Sequence, residues 1–81
     1  MTTQEIHQKL LEIVKVYLPQ DVTESAIKPE SHLMQDLGIN SAHLVDIVLD
    51  VEDTFDIMLD ENDMQQMQRV EDATTVIQNK L

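Results

Sequence analysis

The chain has 81 residues, no cysteine, no tryptophan and a net charge of −11, from sixteen acidic and five basic side chains. That length makes one small domain, able to bury about 60–65% of its unfolded surface. The charge excludes binding to nucleic acid by phosphate neutralisation and disfavours anionic membrane surfaces.

Without cysteine there is no disulfide, thiolate metal site or cysteine nucleophile, and a cytoplasmic protein is the default expectation. The first residues lack the basic region and apolar run of a signal peptide, and no apolar stretch approaches the roughly 18–20 residues of a membrane span. Thr2 stands three residues before Glu5, the spacing of a capping box that opens a helix. Ile6, Leu10, Ile13, Val14 and Tyr17 then recur at helical spacing until Pro19 stops the pattern. The first helix is therefore expected over residues 3–18.

Residues 19–40 hold no sustained period and read as a long connection, which is unusual in a compact domain. Ile27, Leu33, Met34 and Leu37 are expected to pin it to the core, with a short turn within 23–27. Gly38, the only glycine, stands just before a helix start.

A strongly patterned helix follows over 41–55. On a wheel of about 100° per residue, Asp46, Asp50 and Asp53 fall within roughly 60° of one another. Leu44, Val48, Val51 and Phe55 gather on the opposite side as the expected core face. Ala42, Val45 and Leu49 lie on a flank between the two, and the wheel leaves open whether they face core or solvent. No lysine or arginine occurs between Lys28 and Arg69, an interval with ten acidic residues. An acidic face this concentrated suits a basic protein partner, since complementary charge raises association rates.

Asp56-Ile57-Met58-Leu59 reads as a buried connection. Asp60 can cap a short third helix over 60–67, and a fourth runs over 71–80, with Arg69 a poor cap. No strand pair with a hairpin turn is visible. The fold class is all-α: a single domain over residues 1–81, a small four-helix bundle with a long first loop and a short third helix.

Ser41 could act as a nucleophile only beside a base and an orienting acid. His43, two residues on, lies about 200° around the helix, and the glycine-flanked elbow of serine hydrolases is absent. Intrinsic catalysis is not expected. Asp60-Glu61-Asn62-Asp63 lacks the spacing and glycine of a calcium loop, so no dedicated metal site is expected. Attachment of a group to Ser41 remains. A phosphate there would meet unpaired N–H groups and the helix dipole, while Asn40 or Ser41 serving only as an N-cap is the plainer alternative.

Asp36-Leu37-Gly38-Ile39-Asn40-Ser41, followed by Leu44, Val45, Asp46, Val48, Glu52, Phe55, Ile57 and Leu59, resembles the acyl carrier proteins over nearly the whole chain. The resemblance implies a non-catalytic carrier. Ser41 would bear 4′-phosphopantetheine, derived from coenzyme A, whose thiol holds acyl groups as thioesters. It implies a phosphopantetheinyl transferase of the holo-ACP synthase type as partner. Acyl-processing enzymes of fatty-acid, polyketide or related biosynthesis, such as ketosynthases and acyltransferases, would dock by basic patches on a monomeric carrier. The docking residues would be Asp36, Asn40, Ala42, Val45, Asp46, Leu49, Asp50, Glu52 and Asp53, with Ala42, Val45 and Leu49 also candidates to line an acyl slot. The alternatives are an aminoacyl or peptidyl carrier, against which the lack of a second glycine near Ser41 counts, and a non-carrier acidic interaction module. Asn40 replaces the family's usual aspartate and Ala42 its usual large apolar residue, which points to a specialised pathway.

Overall fold

The computed structural model describes residues 2–81, with Glu24 described by its backbone alone. Among them the chain forms helices α1 (Thr3–Lys15), α2 (Ser41–Phe55), α3 (Glu61–Gln66) and α4 (Val70–Lys80), and a 3-10 turn at Glu24–Ala26. The expected all-α fold holds, and the 3-10 turn lies inside the stretch where a short turn is expected.

α1 begins as its sequence dictates. Thr2 Oγ1 accepts the Glu5 N–H at 3.2 Å, and Glu5 Oε1 accepts the Thr2 N–H at 3.2 Å. Ile6, Leu10 and Val14, each four residues apart, are fully buried. The helix ends three residues earlier than expected. Val16, Tyr17 and Leu18 bond back to the carbonyls of Ile13, Val14 and Lys15, a tightened last turn. Pro19 disfavours α geometry at the residue before it, which accounts for the tightening. α1 packs against both α2 and α4, and α3 packs against α4.

The long loop escapes the usual objection to structureless connections because it borrows backbone partners from the entrance of α4. Leu33 N–H donates to Gln68 O, Val70 N–H to Ser31 O and Glu71 N–H to Pro29 O, at 2.8–3.1 Å. His32 and Arg69 form an isolated antiparallel bridge, and Arg69 Nη1 donates to Glu30 O at 2.6 Å. Leu33 and Leu37 are buried as expected, and so is Ile39. Met34 is not: it is 42% exposed, on the turn that carries its neighbours inward. That turn closes on His32 O, which accepts the N–H groups of Asp36 and Leu37, while Asp36 Oδ2 accepts the His32 N–H at 2.7 Å.

Gly38 then redirects the chain into α2 with φ +71°, where an L side chain is strained. A Cβ there would also stand 3.3 Å from Pro19 Cγ. The end of α1 and the start of α2 therefore meet at this glycine.

Three other expectations shift slightly. α3 spans Glu61–Gln66, with Asp60 outside it as the cap. α4 starts at Val70, and the Arg69 side chain makes no cap hydrogen bond, as anticipated. The Asp56–Leu59 connection is only partly buried: Ile57 and Leu59 pack against the core, but Met58 is 84% exposed.

Candidate functional site

Asn40, in extended geometry, caps α2: its Oδ1 accepts the His43 N–H at 2.8 Å. Ser41 is therefore relieved of capping and lies exposed as the first helical residue. The first helical bond of α2 is Leu44 N–H to Asn40 O, so the Ser41 and Ala42 N–H groups precede the helix's own ladder.

The other three helices start differently. In α1, α3 and α4 an acid at the third position accepts the cap residue's N–H: Glu5 from Thr2, Asp63 from Asp60 and Asp72 from Arg69. In α2 that position is His43, and the first turn holds no acid. The positive end of α2 thus has no first-turn acid of its own to meet it.

Among the described residues no histidine is hydrogen-bonded to the Ser41 hydroxyl. The His43 ring lies against Tyr17, centroids 5.5 Å apart and planes tilted 49°. His32 Nδ1 accepts the N–H groups of Met34 and Gln35. His7 lines a groove between α1 and α4.

Along α2 the buried face is Ile47, Val48, Val51 and Phe55, with Leu44 half-buried. Relative to the wheel reading, the core is rotated toward Ile47. Tyr17, just beyond α1, lies against His43 and Asp50, and the flank of Val45 and Leu49 is bare. Ala42, Val45 and Leu49 are accordingly exposed, Leu49 by 57%, so they are not core. Nor do they line the apolar cleft beside the helix. That cleft, about 650 Å³, is bordered by Leu33, Met34, Leu44, Met64 and Met67.

The carboxylates divide by environment. Asp46 and Asp53 are exposed. Asp50 accepts the Tyr17 hydroxyl at 2.7 Å. That hydrogen bond, then partial burial, then the charges of Asp50 and Asp46, push the Tyr17 hydroxyl up to about 12 from its ordinary 10.0. Glu52 is half-buried and its Oε2 accepts the Leu59 N–H at 2.8 Å, tying the α2–α3 connection to the helix. Asp36, though exposed, is likewise engaged in its own turn. The sequence signal for the Tyr17 contact was weak, because 33 residues separate it from Asp50.

Residues 8–77 match the family described as "phosphopantetheine attachment site". An acyl carrier protein of Thermotoga maritima is 36% identical over 78 residues, covering 96% of this chain and 94% of that one. Another, from an Exiguobacterium species, is 35% identical over 81 residues and covers all of both chains.

The chain belongs to the acyl carrier protein family.

A solved acyl carrier protein from Enterococcus faecalis superposes over the full length of both chains with a TM-score of 0.82 at 23% identity, a likeness of fold. As an acyl carrier protein the chain is a non-catalytic carrier, and its prosthetic group is covalent 4′-phosphopantetheine. The start of α2 fits a phosphodiester: an exposed hydroxyl, first-turn N–H groups ahead of the ladder and no first-turn acid to repel it. Among the described residues no helix is long and apolar enough to cross a membrane.

Proposed function

We propose that Ser41 carries the phosphopantetheine arm, and that this carrier passes thioester-bound acyl groups between enzymes that dock on the acidic face of α2. The observation that carries the reading is the division of labour at the helix start, where Asn40 caps and Ser41 is left exposed. In the loading step Ser41 Oγ gives its proton to a base of the transferase and forms a bond to phosphorus. The pyrophosphate bond of coenzyme A breaks in the same exchange, and adenosine 3′,5′-bisphosphate leaves. Once attached, the arm supplies a thiol for the acyl group, so the protein needs no cysteine of its own.

Asp46 and Asp53 are the free charges of the docking face, with Asp50 beside them, and exposed Val45 and Leu49 supply apolar contact next to the charge. Asn40 and Ala42 border Ser41, and Asp36 lies in the turn ahead of Gly38. Asn40 and Ala42 are neutral, and Asp36, like Asp50, keeps its Oδ1 for a partner while its Oδ2 is held, here by the His32 N–H. Glu52 contributes charge but is held by the connection to α3. The cleft beside Leu44, with its adaptable methionines, is better placed than the Ala42–Leu49 flank to shelter an apolar cargo.

Incubation with a broad-specificity phosphopantetheinyl transferase and coenzyme A, read by intact mass, tests attachment. One arm is expected on the wild type and none on Ser41→Ala; an arm on Ser41→Ala would overturn the assignment. Asp46→Lys with Asp53→Lys is expected to slow modification by about tenfold or more at low salt while the fold survives. Unchanged kinetics in that double variant would contradict the docking face.

A further inference from the structure

We propose that Tyr17 is a positioning residue of the docking face, holding the Asp50 carboxylate in one orientation for an incoming basic side chain. The proposal rests on the docking reading of α2. Asp50 is the middle member of the acidic ridge, four residues beyond Asp46 and three before Asp53. Its Oδ2 accepts the Tyr17 hydroxyl at 2.7 Å, an ordinary length for a charge-assisted bond from a phenol to a carboxylate. The Tyr17 ring is itself fixed, resting against His43 at 5.5 Å and packing on the core from the tightened end of α1. The phenol feels the charge of Asp46 as well as that of Asp50, so it lies within the field of the ridge.

An exposed aspartate on a bare helix rotates freely and must be ordered when a partner arrives. One held by a phenol has lost that freedom in advance. An aspartate carboxylate has a second oxygen, Oδ1, which can receive a lysine or arginine while Oδ2 keeps the phenol. The ridge thus combines one pre-oriented carboxylate with two free ones. The contact also ties the docking helix to the last turn of α1, the segment that meets Gly38 ahead of Ser41.

Tyr17 is the only tyrosine and the chain has no tryptophan, so its ultraviolet titration reports this contact alone. In Asp50→Asn the titration midpoint is expected to fall from about 12 toward the ordinary 10.0. An unmoved midpoint would overturn the contact. Tyr17→Phe keeps the ring and removes only the hydroxyl. With the transferase and coenzyme A it is expected to raise the KM for the carrier roughly threefold to tenfold, leave kcat unchanged, and lose the effect at high salt. Introduced into the Asp50→Asn variant, the same substitution is expected to change KM little. A KM unaffected by Tyr17→Phe, with only a lowered melting temperature, would reduce Tyr17 to a packing residue and overturn the proposal. Asp46→Lys with Asp53→Lys separates the two failures. If that pair raises KM and Tyr17→Phe does not, the docking face stands and Tyr17 has no part in it; if neither does, the docking reading itself falls.

Discussion

The first turns of α2 and α3 meet the same physical need in opposite ways. Each begins with amide N–H groups that have no partner in the helix. At α3, Asp60 Oδ1 accepts the Asp63 N–H at 2.8 Å and Asp63 Oδ2 accepts the Asp60 N–H at 3.1 Å. Asp63 also takes Lys80 from the end of α4 at 2.8 Å, so both side chains are committed to the fold. At α2 one neutral amide caps one donor and the next residue is left bare. The α3 end completes itself within the fold, whereas the α2 end is capped once, by a neutral side chain. The difference is one of charge and commitment, since both caps have nearly the same bond length.

The strongest disturbance of the α2 end lies just upstream of it. Gly38→Ala forces a left-handed residue to carry a Cβ and crowds Pro19, and is expected to cost about 1–2 kcal/mol. Thermal melting should show a drop of roughly 4–8 °C for each kcal/mol. No drop would mean that the turn ahead of Ser41 can relax without strain.

Next come the caps themselves. Asn40→Ala and Asp60→Ala should each lower stability by about 1 kcal/mol in urea titrations. Only Asn40→Ala is expected also to slow loading of Ser41, because only that cap sets the serine's position. Equal modification rates in wild type and Asn40→Ala would erase the distinction between the two ends.

A subtler substitution probes the dipole directly. Asn40→Asp restores a negative charge at the α2 start and should stabilise the unmodified protein by roughly 0.3–1 kcal/mol. In the loaded protein a phosphodiester on Ser41 would compete for the same dipole, so the gain should shrink. An equal gain in melting temperature before and after loading would place the phosphate away from the helix end.

Weakest of all is the pH response of the α3 end. The Lys80 ammonium, and then the Asp60 N–H, hold the Asp63 carboxyl below its ordinary 3.8. A depressed carboxylate contributes stability that is complete above 3.8 and is lost as pH falls through the lowered value. Lys80 is raised above its ordinary 10.5 by the same bond, so its share is complete below 10.5 and is lost above the raised value. Asp63→Asn should therefore flatten part of the acid limb of a melting-temperature profile. An unchanged acid limb would show that the pair carries no net stability.

Much of this was readable from residue order. The α1 capping box, the cap at Asp60, the position of α2 and the burial of Leu33 and Leu37 all follow from local spacing, because helix starts and apolar periods are set within a turn or two. What was misjudged lies where turns and packing, rather than helical periodicity, decide which side chains face inward. Met34 and Met58 are apolar yet exposed, because the turns that carry them point their neighbours inward instead. Ile47 is fully buried although the wheel reading did not place it on the core face. Glu52 also accepts the Leu59 N–H across a connection whose path no periodicity describes.

Residue order alone makes this chain a small acidic helical bundle with a serine at the start of its second helix. Those properties reside in composition, periodicity and capping chemistry, which act over a few residues. Which carboxylates of that helix are free was settled by the packing of the helices. The phenol on Asp50 comes from the end of α1, brought there by the core rather than by any local rule. Folding also separated the capping oxygen from the exposed one: Asn40 and Ser41 are adjacent and both can cap, and backbone geometry gave that task to Asn40.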